Sequence, residues 1–226
     1  MIVGYFMTRN IYHQILPSIR SLLTFNRPER IYIFAEDDDI GIDLPEMVKV
    51  INISGQPYIK KSSPNWNSMF SYMVMCRVCT GKFIDDDKIL LLDVDTIIND
   101  SLEDLWQTDL TGKWFGAVNE DRGKWKPYGD RYFNAGVFLM NLKQIREDRI
   151  DDVLIEMLNT HFFTYSEQCA WNKIKADRYV ELPTRYNESF CCGFTNNPAV
   201  IHYAGIQDWY TNRNIQRREY LDRYLL

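Results

Sequence analysis

The apolar positions of this chain fall into short continuous runs separated by stretches of helical spacing. Ile2 to Met7 is almost wholly apolar and gives way to the polar turn Thr8-Arg9-Asn10, the pattern of a strand covered on both faces. Ile15, Ile19, Leu22 and Leu23 then recur at helical intervals, predicting an amphipathic helix with Pro17 in its first turn, where a missing N–H is tolerated. Arg30 to Ala35 is a second strand, ending in the acidic run Glu36-Asp37-Asp38-Asp39, and Val48 to Ile53 is a third. Asn65 to Cys79, rich in Met and aromatic residues, reads as a helix. Lys88-Ile89-Leu90-Leu91-Leu92 reads as a central strand and ends at Asp93-Val94-Asp95-Thr96. Ser101-Leu102-Glu103-Asp104 has capping-box spacing before a short helix. Trp114 to Val118 and Tyr132 to Leu142 are further strands, followed by helices over Gln144 to Asn159 and Ser166 to Lys175. Two late strands, Arg178 to Leu182 and Ala199 to Tyr203, precede an Arg-rich tail. This alternation predicts an α/β fold with a mostly parallel central sheet flanked by helices. The chain reads as a single domain, 1–226, with 210–226 a basic and aromatic tail.

Length and charge narrow the picture. A chain of 226 residues buries a sizeable core without disulfides. Its formal net charge of −5 argues against a broad nucleic-acid-binding surface, while leaving room for a local basic pocket. Cys76 and Cys79 have a redox or zinc spacing, but no second pair accompanies them. All five cysteines therefore read as structural thiols, whose reduced state points to the cytoplasm. The first residues lack the features of a signal peptide, and no run reaches the roughly 18 apolar residues of a membrane span. The expectation is a cytoplasmic protein, or one peripheral to the inner face of the membrane. The tail is the segment that would make such contact: its arginines suit an anionic lipid surface. Its apolar positions are few, which favours a C-terminal helix packed on the domain with a solvated Arg face.

Four segments carry candidate chemistry. In an open α/β sheet, ligands bind beyond the carboxyl ends of the strands, where Asp93 and Asp95 fall. In a strand-like conformation, residues i and i+2 point to one side, so both carboxylates can face one hard cation such as Mg²⁺ or Mn²⁺; a solvated strand end with two surface acids is the alternative. Ile201-His202-Tyr203-Ala204-Gly205 ends a short apolar strand. A neutral His202 could complete a two-carboxylate site and tilt it toward Mn²⁺, or serve only in packing, the sole reading for His13 and His161. Asn134, followed by Ala135 and Gly136, lets backbone approach a ligand closely while an amide donates and accepts; a tight strand entry explains the same residues. Ser166-Glu167-Gln168 opens a helix whose first turn faces either a cleft or solvent.

Together and in this order, these segments resemble glycosyltransferase family 8, which includes glycogenin and bacterial lipopolysaccharide galactosyl- and glucosyltransferases. The resemblance runs from the Thr8–Tyr12 turn to Trp209. It is most specific at LLLDVDTII (Leu90–Ile98), YFNAGVFLMNL (Tyr132–Leu142) and IHYAG (Ile201–Gly205), and Leu182-Pro183-Thr184-Arg185-Tyr186-Asn187 is similar to the family's Leu-Pro-x-x-(aromatic)-Asn element. It implies a GT-A-type, Rossmann-like fold and a retaining, metal-dependent hexosyltransferase. The enzyme would move glucose or galactose from a UDP-sugar to a glycan, protein or lipid-linked acceptor. Asp93, Asp95 and His202 would hold Mn²⁺, or Mg²⁺, against the donor diphosphate, with Val94 and Gly205 beside them. Thr8, Arg9 and Tyr12 would hold uridine, Tyr12 stacking on the base, and Arg77 would lie near the donor. Asn134, Ala135 and Gly136 would line the sugar pocket, Glu167 would bond sugar hydroxyls, and Gln168 would sit beneath the anomeric carbon.

The chain departs from the family pattern in three places. The usual Asp-Gln-Asp reads Glu167-Gln168-Cys169, replacing the second acid by a thiol and putting sugar selectivity in question. The usual His-x-x-Gly-x-x-Lys-Pro-Trp reads His202-Tyr203-Ala204-Gly205-Ile206-Gln207-Asp208-Trp209, one residue shorter and without the phosphate-binding Lys. Arg213 could replace that Lys only if the tail folds back. Arg9 stands where Asn or Asp is common. Acceptor contacts are expected on variable loops at Gln56–Asn67 and Gly123–Arg131. Two other functions fit paired aspartates on such a sheet: a nucleotidyltransferase, although Thr8-Arg9-Asn10 is not Gly-rich, and a sugar-nucleotide-binding protein without catalysis.

Overall fold

A computed structural model describes residues 1–120 and 128–225. Its frame is a seven-stranded sheet in the order β3-β2-β1-β4-β7-β6-β8. The strands are β1 (Ile2–Phe6), β2 (Arg30–Ala35), β3 (Val48–Asn52), β4 (Lys88–Leu92), β6 (Phe115–Asn119), β7 (Phe133–Asn141) and β8 (Tyr179–Leu182). β5 (Thr96–Ile98) and β9 (Val200–His202) form a separate antiparallel pair. The large sheet is mixed and mostly parallel, as the alternating pattern predicts. β7 is its one reversed strand, antiparallel to both β4 and β6.

The continuous apolar runs are explained by burial on both faces. Along β4, Leu90 and Leu92 join one core while Ile89 and Leu91 join the other. This is the period-two alternation of a strand with both sides covered. The first core lies under α1 (Ile15–Phe25), α4 (Glu103–Trp106), the β5–β9 pair and the C-terminal α8 (Arg218–Asp222). The second lies under α2 (Tyr72–Met75), α3 (Thr80–Phe83), α5 (Leu142–Glu147), α6 (Ile150–Thr160) and α7 (Ser166–Ile174).

Two predicted helices are redrawn. The segment 65–79 becomes helical only at Tyr72 and passes through a 3-10 turn at Cys76–Cys79. The reason is Asn65, whose fully buried amide donates to the carbonyls of Leu158 and His161 and accepts from Phe163 N. Those bonds tie it to the end of α6 and hold its own backbone out of a helix. The expected helix over 144–159 is two helices, broken at Arg149 with φ 55°. Asn141 caps the first by accepting from Gln144 N at 3.1 Å. Lys82 pairs with Asp151 and Asp152 at the start of the second. Cys76 and Cys79 are buried free thiols, and burial pushes Cys76 up to about 12. No helix among the described residues is long and apolar enough to cross a membrane.

The tail packs on the domain. Leu221 is buried, and Tyr203 Oη donates to Arg217 O at 2.8 Å. Arg217 Nε meets Glu188 Oε1 at 2.7 Å, and Glu188 Oε2 accepts from Thr195 N at 2.6 Å. Glu188 is wholly buried, so removing its counter-charge strands an anion. Arg217→Ala is expected to cost about 1–3 kcal/mol in urea unfolding, discounted for the partly exposed guanidinium, and Glu188→Gln in that background to recover part of the loss.

Candidate active site

Parallel register aligns the carboxyl ends of three strands at one sheet edge, with Phe6 opposite Phe34 and Gly4 opposite Leu91. The turns that follow β1, β2 and β4 therefore share that edge, the ordinary place for a ligand in such a sheet. Asp93 and Asp95 occupy the turn that carries the chain from β4 in the large sheet to β5 in the small one. This corrects the strand-like alternation expected of them: Thr96 Oγ1 donates to Asp93 O at 2.8 Å and closes a turn. The carboxylates converge all the same. The antiparallel β4–β7 ladder runs on past Leu92, with Asp93 N donating to Gly136 O at 2.8 Å. The β5–β9 ladder places Asp95 O against Tyr203 N at 3.0 Å, one residue from His202.

His202 Nε2 lies 3.3 Å from Asp95 Oδ1 and 3.5 Å from Asp93 Oδ2. These three residues are the one group among those described whose ligand atoms could surround a cation, all lying within 4.8 Å of one another. The donor set fits a divalent metal, because Nδ1 of the imidazole is already engaged with Asn187 Oδ1 at 2.8 Å and Nε2 faces the carboxylates. Two carboxylates with one imidazole nitrogen suit Mn²⁺ better than Mg²⁺. Burial pulls the His202 pKa down, but Asp95 and Asp93 outweigh it and lift it to about 10. Burial opposes ionisation of Asp93 as well, yet Arg77 and His202 hold its carboxyl below the usual range.

His202 can occupy this position because residue 136 is glycine. A Cβ there would stand 2.0 Å from His202 Cε1 and 2.4 Å from Nδ1. Around it β7 is bulged: Ala117 pairs with Phe138 but Val118 with Asn134, so residues 135–137 have no partner on β6. Their freed backbone groups serve the site instead. Ala135 N donates to Gln168 Oε1 and Gly136 N to Asn134 Oδ1, each at 2.9 Å. Asn134 Nδ2 and Gln168 Nε2 both donate to Glu120 Oε1, at 3.0 and 3.1 Å. Asn187 Nδ2 donates to Asn134 Oδ1 at 2.9 Å.

The structure thus brings Asp93, Asp95, His202, Asn134, Ala135, Gly136, Gln168, Glu167 and Arg77 together. Arg77 is buried, with Nη1 2.5 Å from Asp93 Oδ1 and 3.6 Å from Glu167 Oε1 and Nη2 bonded to Ala135 O. Val94 turns its side chain into the core, leaving only its backbone for a ligand. Gly205 has φ 75°, a conformation that glycine adopts without strain. Thr8, Arg9 and Tyr12 lie along the same edge. Arg9 forks onto Asp37 at 2.7 and 2.6 Å, and Tyr12, 7% exposed, donates to Asp37 Oδ2 at 3.1 Å. So little open ring face means that stacking on a base would require the surroundings of Tyr12 to shift. Cys169 turns away from the cleft, its Sγ 3.0 Å from Tyr132 Oη. Trp209 Nε1 donates to Gln14 Oε1 at 3.1 Å, so the tail does fold back toward the first turn; Arg213 on it is exposed. The expected acceptor loop at 123–131 lies outside the described residues over 123–127.

Glu120 and Asn187 are the residues that sequence reasoning missed. Asn187 closes the quoted Leu182–Asn187 element, where its type alone was a signal. Glu120 follows a strand end with nothing in its spacing to mark it. Two further polar atoms, Ser166 Oγ and Glu167 Oε2, are buried without a hydrogen-bond partner at the start of α7. Orphaned groups of this kind fit the hydroxyls of a sugar.

The fold is of the GT-A type, with a candidate cation group at the carboxyl edge of its sheet. Residues 38–209 match the model of glycosyl transferase family 8, and the chain belongs to that family. It is similar to a probable glycosyl transferase, Gly, of Streptococcus gordonii, 29% identical over 182 residues covering 77% of this chain and 26% of that protein. It is also similar to glycosyltransferase GlyD of Streptococcus pneumoniae TIGR4, 27% identical over 245 residues covering 92% and 28%. The chain thus spans about a quarter of the length of these curated relatives. The galactosyltransferase LgtC, solved with donor and acceptor sugar analogues, superposes with a TM-score of 0.78 at 20% identity, covering 100% of this chain and 95% of that one.

Gly136→Ala is expected to drive the imidazole off the backbone and weaken Mn²⁺ binding by about 10-fold or more, read from the electron paramagnetic resonance signal of the free ion. Glu167 supplies a pH test. Its burial, reinforced by Asp93 and only partly offset by Arg77, lifts its pKa from 4.5 to about 8. The folded state therefore keeps a proton that the unfolded chain loses, and stability falls as pH rises from 4.5 to 8. Glu167→Gln should remove that slope, leaving the variant more stable than the parent above pH 8 by on the order of 1–3 kcal/mol in denaturant titrations.

Proposed function

We propose that this chain is a metal-dependent, retaining hexosyltransferase that moves glucose or galactose from a UDP-sugar to a glycan, protein or lipid-linked acceptor. The observation that carries the reading is the convergence of Asp93, Asp95 and His202 on one point at the carboxyl edge of the sheet. The family's membership and the likeness to LgtC, a galactosyltransferase solved with donor and acceptor analogues, support it. A divalent cation held by these three residues would act as a Lewis acid on the diphosphate and offset the charge that develops on the leaving UDP.

The remaining chemistry belongs to the chain. Gln168 is neutral and a poor nucleophile, so the reading favours front-face attack by the acceptor hydroxyl, with the carbonyl dipole of Gln168 stabilising the cationic sugar. Glu120 and Ala135 N hold that amide from both ends. Glu167 Oε2 and Ser166 Oγ, buried and without hydrogen-bond partners, would receive sugar hydroxyls. Thr8, Arg9 and Tyr12, with Glu36 and Asp37 behind them, would hold the nucleoside. Cys169 points at Tyr132, so the loss of the family's second acid weighs on the packing behind the pocket more than on the pocket itself.

A panel of UDP-sugars, with and without Mn²⁺, tests the reading through release of UDP. UDP formed only with the metal is the expected result; pyrophosphate in its place would show nucleotidyl transfer, and no turnover of any UDP-sugar would leave only a binding protein. Gln168→Ala should lower kcat by roughly 10²–10³-fold, the loss typical of one electrostatic stabiliser, while UDP binding by calorimetry is unchanged. Undiminished turnover would sink the role given to Gln168.

A further inference from the structure

Two backbone N–H groups set the direction of the hydrogen bonds that run through the site. A backbone amide can only donate. Gly136 N therefore identifies its partner on Asn134 as the oxygen, and Ala135 N does the same for Gln168. The two side-chain NH2 groups must then face elsewhere, and both meet Glu120 Oε1. Asn187 has to present its own NH2 to the Asn134 oxygen, which turns its carbonyl to His202 Nδ1 at 2.8 Å. Nδ1 of His202 consequently carries a proton, and Nε2 is the nitrogen that faces Asp93 and Asp95. Flipping Asn134 or Gln168 would set two donors or two acceptors face to face. Glu120, Asn134, Asn187 and His202 are all buried, so bulk water does not compete for these bonds.

We infer that Asn187 is a positioning residue: it keeps a proton of His202 on Nδ1, so that Nε2 is the nitrogen that gives up its proton to a cation, through a one-way chain of donors from His202 by Asn187 and Asn134 to the Glu120 carboxylate. The same carboxylate takes the NH2 of Gln168, so the metal ligand and the residue beneath the reacting carbon share one anchor. Donors aligned toward an anion polarise one another, and a ligand imidazole is oriented by the acceptor on its second nitrogen. The cation is taken from the proposed function; the direction of the hydrogen bonds stands without it.

Two variants of Asn187 separate orientation from bulk. Asn187→Asp keeps an acceptor for His202 but has no donor for Asn134. Asn187→Leu has neither. Mn²⁺ affinity should fall about 10–100-fold in Asn187→Leu and stay within about threefold of the parent in Asn187→Asp. In ¹H–¹⁵N spectra of histidine-labelled protein, recorded without metal, a slowly exchanging Nδ1 proton of His202 should appear in the parent and in Asn187→Asp and vanish in Asn187→Leu. Asn187→Asp should still lose kcat by about tenfold at nearly constant KM, because Asn134 has lost its donor. A merely structural role would instead lower metal affinity, the Nδ1 signal and kcat together in both variants. If Asn187→Leu does not fold, Asn187→Asp decides alone: loss of its Nδ1 signal or of Mn²⁺ binding overturns the inference. Mn²⁺ binding by Asn187→Leu equal to that of the parent, or a parent without the Nδ1 signal, overturns it as well. A parent that binds no Mn²⁺ would remove the proposed function instead, and the Nδ1 signal in the three proteins would still decide whether Asn187 sets the tautomer.

Discussion

The imidazole of His202 rests directly on the backbone of Gly136, and the rest of the site is arranged around that contact. Any side chain at 136 would occupy the space of the ring, since even a methyl carbon would stand 2.0 Å from it. The bulge in β7 makes the contact useful. By withdrawing residues 135–137 from the β6 ladder, it frees two amide donors for Asn134 and Gln168 while Gly136 O still receives Asp93 N. One irregularity in one strand thus fixes one member of the candidate cation group, the strand end that carries another, and two side-chain amides. The reversal of β7 belongs to the same arrangement. Only an antiparallel partner sets the small residues near its start against the carboxyl end of β4.

Charge at the site is balanced internally before any ligand enters. Arg77 is buried among Asp93, Glu167 and the carbonyl of Ala135. A residue expected near the donor therefore serves first as the buried counter-charge that favours an ionised Asp93. Glu167 responds in the opposite sense. It is more deeply buried and farther from the guanidinium, and it holds its proton toward alkaline pH. Two carboxyl groups sharing one arginine are thus driven apart, one an anion for a cation to meet and the other a neutral group able to donate as well as accept. That division suits a metal on one side and sugar hydroxyls on the other.

The fold was largely legible because its strands are continuous apolar runs and its longer helices have clean periodicity. What escaped were features set by tertiary partners. The segment at 65–79 has helical spacing of Met and aromatic residues, yet the amide of Asn65 is claimed by carbonyls nearly a hundred residues away. The spacing of Asp93 and Asp95 pointed to a convergence that the structure has, but through the wrong geometry: a turn between two sheets, not an alternating strand, brings them together. β5 was hidden because Thr96-Ile97-Ile98 is too short to show a period; it forms a strand because β9 returns beside it. Glu120 was invisible as a site residue, and the role of Asn187 within its motif was too, for a related reason. Their roles come from the partners that a bulge and a buried network supply, and a lone Glu or Asn carries no spacing that reveals them.

The departures from the family pattern fall on supports. Cys169, in place of an acid, is fully buried against Tyr132, where a carboxylate would bear a desolvation cost that the thiol does not. The shortened tail is secured by other means. Trp209 stacks on Tyr203 at 5.6 Å and reaches Gln14, while Arg217 neutralises Glu188. Glu188 is the residue after Asn187, its N–H bonds Val200 O, and its carbonyl accepts from His202 N at 2.8 Å. The tail is therefore latched to the backbone that flanks both His202 and its hydrogen-bond partner Asn187. His202 is thus held from the sheet through Gly136 and from the tail through Glu188, which leaves the imidazole little positional freedom. The rigidity of the cation site is in this way a property of the C-terminal segment as much as of the strand that ends at Asp93.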